Sequence, residues 1–169
     1  MFSWLTFFTP NPSLRDYTAA GCIFSSKTHV LAGLQKKDGL HLISGFGGSK
    51  RDGETHTRTA LRELIEELLE VNVSDSVLVT IELRVKPVKV HLRGSYALLQ
   101  YTFDDLEEIL RLAEPFCRET PVYVFFPSTV MDLINTRTKT QGEISTLCLL
   151  PLEPGLSISP EFLGDLQCI

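Results

Sequence analysis

Glu63, Glu66, Glu67 and Glu70 recur three and four residues apart in RELIEELLE, Arg62 to Glu70. On a helix this spacing gathers the carboxylates into a sector of about 100° over about 10 Å of axis. Like charges so placed repel and cost stability unless something cationic sits among them. Hard divalent cations such as magnesium or manganese take oxygen ligands of this kind and commonly keep waters and substrate phosphates in their shell. The cluster therefore suits metal-assisted attack of water on a phosphate, in which the ion screens the phosphate charge and lowers the pKa of its water. The plain alternative is a solvated acidic face, which normally carries Lys or Arg partners at i+4. Here only Arg62 and, one turn earlier, Arg58 stand nearby on the helix.

Before the acidic stretch come Gly45, Gly47 and Gly48, where backbone can approach a ligand closely and offer a carbonyl. Asp52-Gly53-Glu54 and Thr57 or Thr59 supply helix-start chemistry. Leu61, Leu64, Ile65 and Leu68 then form an apolar stripe opposite the glutamates. The helix thus has one face for a core and one for charge.

Elements that hold this helix are legible on both sides. AAGCIFSS and HVLAGLQ read as strands, KKDG as a turn, and LHLISGFGG as a short strand running into the glycines. SVLVTIELRV and VKVHLRGSYALLQYTF also read as strands. DDLEEILRLAEPF is a second amphipathic helix with Leu106, Ile109, Leu110 and Ala113 inward. VMDLINTRTKTQ suggests a helical turn or two and then a polar loop, EISTLCLLPL a strand, and EFLGDL a final helical turn. PVYVFFP is too short to assign. Strands and helices in mixed order predict an α+β fold, an α/β/α sandwich around a mixed sheet, within a single domain spanning 1–169.

Gly48-x5-Glu54-x7-Arg62-Glu63-Leu64-Ile65-Glu66-Glu67 closely resembles the signature box of the Nudix hydrolases, G-x5-E-x7-R-E-U-x-E-E-x-G-U with U a bulky aliphatic. The resemblance covers 48–70 and departs at its end, where Leu69 replaces the glycine and Glu70 the aliphatic. It implies a loop-helix-loop metal site on an α/β/α sandwich, and hydrolysis of a nucleoside diphosphate linked to another group. By position, Glu66 and Glu67 would be the main magnesium ligands and Glu63 a further ligand or general base. Arg62 would orient Glu63, Glu54 would brace the loop or join the metal shell, and the Gly47 carbonyl would complete it. Loss of the glycine suggests a helix that runs on another turn and leaves Glu70 a surface charge, and it could weaken catalysis.

Family members often add an acidic residue from a later loop, and Glu143, entering an apolar strand, resembles that position. The basic loop before it, with Arg137 and Lys139, would reach substrate phosphates. Lys89, His91 and Arg93 alternate with apolar residues and so share one strand face, a candidate phosphate or RNA-backbone contact or else an ordinary solvated face. RELIEELLE, DDLEEIL and EISTLCLLPL together look similar to the decapping branch of the family, which cleaves capped small RNAs and inosine diphosphate. Capped RNA or a small nucleoside diphosphate derivative is therefore the expected substrate. An ADP-ribose or dinucleoside polyphosphate hydrolase is the alternative, and a nucleotide- or RNA-binding module with little turnover is a second class.

Composition bounds the rest. With 43% hydrophobic and 22% charged residues the chain has the make-up of a globular protein, and a net charge of -5 argues against coating nucleic acid through bulk positive charge. Cys22, Cys117, Cys148 and Cys168 form no metal or redox motif and predict reduced thiols, hence an intracellular, cytoplasmic or nuclear setting. No run approaches the about 20 apolar residues of a membrane span. The apolar opening MFSWLTFFTPNP reads as a strand or arm packing on the domain. A homodimer is left open.

Overall fold

The computed structural model describes residues 17–37, 40–138, 142–152 and 160–168. In chain order the elements are β1 (Ala19–Phe24), β2 (His29–Lys37), β3 (Leu40–Ser44), β4 (Phe46–Ser49), α1 (His56–Leu69), α2 (Asp75–Arg84), β5 (Lys89–Arg93), β6 (Tyr96–Tyr101), α3 (Phe103–Cys117), α4 (Val130–Asn135), β7 (Ile144–Pro151) and α5 (Pro160–Leu166). The opening arm, the Asp38-Gly39 turn and residues 139–141 and 153–159 lie outside the described residues.

Two sheets form. One runs β4-β1-β6-β5 and is mixed, because β1 pairs parallel with β6 and antiparallel with β4, while β5 and β6 make a hairpin. Gly94, at φ 59°, supplies the positive angle that this tight reversal needs. The other runs β3-β2-β7, antiparallel throughout. Side chains of β1 alternate between two cores, as strand geometry requires. Ala20, Cys22 and Phe24 join the larger core with α1, α2 and α3, whereas Ile23 packs with Leu98, Val30, Ala32 and Phe162 of α5. α1, α2 and α3 thus cover one face of the mixed sheet, α5 and residues of the second sheet pack on the other, and the fold is α+β.

The segment SVLVTIELRV, expected as a strand, is the helix α2. Its many β-branched residues favour strand locally, but Val77, Leu78, Ile81 and Val85 are the buried ones, a helical spacing that packing between α1 and α3 rewards. Asp75 in the first turn and Arg84 in the last also suit a helix dipole. The second amphipathic helix is α3, begun by a reciprocal cap between Thr102 and Asp105, and Thr129 with Asp132 caps α4 in the same way. All four cysteines are free thiols. Among the described residues no helix is long and apolar enough to cross a membrane.

Candidate functional site

α1 begins at His56, two residues past Glu54. Thr55 is its cap, accepting from the Arg58 amide at 3.2 Å, where the sequence pointed to Asp52 to Glu54 or to Thr57 and Thr59. Leu61, Leu64, Ile65 and Leu68 go into the large core, and this anchors the acidic face toward β4 and the loop after it.

Arg62, 3% exposed, is the organising cation of that face. Nε donates to Oε1 of Glu54 at 2.6 Å, and Nη2 to Glu54 Oε2 at 3.1 Å and to the Ser49 carbonyl at 2.8 Å. Nη1 donates to Glu63 at 2.7 Å and Glu66 at 3.0 Å. All five N–H donors of the guanidinium are used. Burial works to lower the Arg62 pKa, and the hydrogen bonds and charges of Glu54 and Glu63 more than offset it. Having no donor left for substrate, Arg62 is a positioning residue; its placement among catalytic groups is corrected on that ground. Glu54 likewise braces the loop. Burial alone would raise its pKa, but Arg62, the Arg51 amide and the Thr59 hydroxyl pull it down to about 2.

Glu63, Glu66, Glu67, Glu70 and Glu143 line one cleft of about 490 Å³ together with Gly47, Gly48 and Gly142. Gly48 is required by close approach, since a Cβ there would fall 2.5 Å from the Glu63 carboxyl carbon. The Gly47 amide donates to Glu67 at 2.9 Å from β4, the edge strand of its sheet. A strand residue's N–H and C=O share a side, so the Gly47 carbonyl faces outward from the edge as well. Burial pushes the Glu67 carboxyl up to about 8, against the Gly47 hydrogen bond and with help from Glu63, Glu143 and Glu66. A carboxylate this costly to ionise is one that a cation would stabilise.

The helix exit departs from expectation. α1 stops at Leu69, and Glu70 takes the left-handed conformation at φ 52°, ψ 39° with its N–H on the Glu66 carbonyl. The helix does not run on, and Glu70 is no surface charge: its side chain is 16% exposed, accepts from the Gly142 amide at 3.2 Å and lies 3.6 Å from Arg137. Left-handed backbone costs a non-glycine residue about 1–2 kcal/mol. The compensation is at the helix end, whose last carbonyls need donors. Arg137, 2% exposed, donates to the carbonyls of Leu68, Glu67 (3.0 Å) and Ile144 (3.0 Å), and Thr120 donates to that of Leu69 at 2.6 Å. The Arg137 guanidinium is thereby committed to backbone, so its expected reach toward substrate phosphates is corrected. Lys139 lies outside the described residues.

Of the remaining candidates, Glu143 is at the cleft, accepting from Gln35 of β2 at 2.8 Å. Lys89, His91 and Arg93 share a face of the edge strand β5. Lys89 is exposed, His91 is 3.2 Å from Gln100, and Arg93 reaches Asp165 of α5 at 2.7 Å in the wall of a second cavity. Sequence reasoning missed Arg51, which lies 3.1 Å and 3.3 Å from the two Glu66 oxygens, as well as Gln35, Thr120 and Asp165. None carries a local signal, because each is defined by its partner across the fold.

The donor set of the cleft, carboxylates with a backbone carbonyl, fits a hard divalent cation. Among the described residues no group of three acidic side chains is already drawn together at ligand distance. The hydrogen bonds give the reason: Glu63 is turned to Arg62, Glu66 to Arg62 and Arg51, and Glu67 to the Gly47 amide. Arg51 is 60% exposed, so its pair with Glu66 is a weak one.

No family model and no curated protein matches the chain. Solved structures do. A Nudix-family hydrolase from Clostridium perfringens is similar over 89% of this chain and 93% of its own, at 16% identity and a TM-score of 0.42. The ORF135 protein of E. coli is similar over 93% and 91%, at 15% identity and a TM-score of 0.47. A bifunctional NMN adenylyltransferase/ADP ribose pyrophosphatase from Francisella tularensis, in complex with AMP and a manganese ion, is similar over 92% of this chain and 38% of its own, at 15% identity and a TM-score of 0.43.

Proposed function

We propose that this chain is a divalent-cation-dependent hydrolase of a pyrophosphate bond in a nucleoside diphosphate derivative. The observation that carries it is the convergence of Glu63, Glu66, Glu67, Glu70 and Glu143 on one glycine-floored cleft. Glu66, Glu67 and the Gly47 carbonyl would hold magnesium or manganese, with Glu63 beside them. Such an ion, when bound, neutralises phosphate charge and acidifies a water.

The chain's own residues do the rest. Arg62 holds Glu63 and Glu66 beside the cleft, from which they would turn toward an ion. Arg137 and Thr120 hold the end of α1 and with it Glu67 and Glu70. Glu63 or Glu143 would accept a proton from the attacking water.

Capped RNA is the narrower substrate, supported by the resemblance of RELIEELLE, DDLEEIL and EISTLCLLPL to the decapping branch. The test is incubation with magnesium and a panel of capped RNA, inosine diphosphate, ADP-ribose and diadenosine polyphosphates, with Glu66→Gln and Glu67→Gln alongside. Turnover that both variants abolish supports the hydrolase. Binding by the parent with no turnover on any member would overturn it in favour of a binding module.

A further inference from the structure

Val124 and Phe125 are 76% and 83% exposed, the two highest values among the large apolar side chains of the described residues, and they are consecutive. Single exposed apolar residues are ordinary on a surface, whereas adjacent ones begin a patch. The chain goes on to line a groove of about 420 Å³ with Phe126 and Pro127, and Met131, in the first turn of α4, is also exposed. This stretch is held in place. Tyr123 bridges to Arg137, the Thr138 amide donates to the Val122 carbonyl at 2.8 Å, and the amides of Ser128 and Thr129 donate to Asp132 at 3.2 Å and 3.0 Å. From α3, Glu107 accepts from the Val130 amide at 3.2 Å. A segment tied at both ends presents its side chains with little ordering left for a partner to impose.

The facing wall of the groove belongs to α3. Asp104, Glu107, Glu108 and Glu114 line it with a single cation, Arg111, whose Nε already donates to Glu108 at 2.6 Å. Four carboxylates against one guanidinium leave the wall acidic, and Arg118, 3.4 Å from Glu114, offsets only one of them. None of these residues lines the acidic cleft of α1, so the groove is a separate feature. An apolar ledge beside an acidic wall is complementary to a chain segment that carries a bulky apolar side chain next to Lys or Arg. Nucleic acid is disfavoured, because its phosphates would meet carboxylates. A second copy docked through the same patch would set acid against acid, since a two-fold contact brings a surface onto itself. We propose that the groove between α3 and residues 124–127 docks a basic, apolar-anchored segment of a partner protein. Phe125 is the central apolar contact, and the α3 carboxylates select positive charge.

The test is fluorescence anisotropy of the intact chain with three labelled synthetic peptides. One carries a Trp-Leu pair between Lys-Arg pairs, the second has Glu-Asp in place of Lys-Arg, and the third has Gly-Ser in place of Trp-Leu. The first should bind roughly tenfold tighter than either control, and less tightly as salt rises. Phe125→Ser should weaken it roughly tenfold with an unchanged melting temperature, because an exposed side chain adds little to folding. Asp104→Asn combined with Glu114→Gln should weaken it severalfold and flatten the salt dependence. A cationic peptide would also be drawn to the cleft of α1, so Phe125→Ser decides the location: binding that this variant keeps at the parental level overturns the proposal. Equal affinity for the three peptides, or no saturable binding of the first, does the same. Self-association of the parent in sedimentation, lost in Phe125→Ser, gives the surface to a second copy and also overturns it. Phe125→Ser should leave turnover of the substrate panel unchanged, so the docking surface and the hydrolase reading fail separately.

Discussion

Arg62 and Glu54 are joined by two charge-assisted hydrogen bonds, of 2.6 Å and 3.1 Å, across the turn that carries the chain from β4 into α1. Because Arg62 also holds Glu63, Glu66 and the Ser49 carbonyl, this one buried cation ties the loop to the acidic face. Removing it would leave several carboxylates without their partner. Arg62→Met should destabilise the protein by about 3–5 kcal/mol, measured by chemical denaturation.

Glu54 makes the acid limb of stability steep. Its carboxyl titrates near 4.5 when unfolded and at about 2 when folded, so its contribution is complete above 4.5 and is lost as pH falls from there through 2. The full size is about 3 kcal/mol. Glu54→Gln should lower the melting temperature at neutral pH and flatten its decline below pH 4.5; a decline parallel to the parent's would count against the assignment.

Arg137 caps a helix that lacks the usual glycine at its exit. Arg137→Met should cost about 2–4 kcal/mol, since it strips donors from buried carbonyls and takes from Glu70 its cationic partner. Arg137→Lys should recover only a minor part, because a single ammonium cannot reach three carbonyls that the planar fork spans.

Arg51 competes for the carboxylates that a divalent ion would need. It is largely exposed and paired to Glu66, so its loss should affect folding little. Arg51→Gln should tighten magnesium binding by about two- to fivefold, read by isothermal titration, as expected for one weak surface pair released.

The acidic face was legible because helix spacing is a local property: Glu63, Glu66 and Glu67, together with the core stripe of Leu61, Leu64, Ile65 and Leu68, can be read off a single stretch. So were most strands and α3. What escaped was fixed at long range. α2 has strand-like composition, and only its position between α1 and α3 makes it helical. Leu69 suggested a longer helix, yet the exit is set by Arg137 and Thr120, 51 or more residues downstream. Arg137 looked like a phosphate ligand because its burial is invisible in sequence, and Asp165 looked like nothing because its meaning comes from Arg93, 72 residues away.

The most direct test is equilibrium titration of the intact chain with manganese, followed by electron paramagnetic resonance, in the parent and in Glu66→Gln and Glu67→Gln. The account predicts saturable binding in the parent, weakened at least tenfold in each variant while both keep their melting behaviour. Saturable binding that survives both substitutions undiminished, or no binding in the parent, contradicts it.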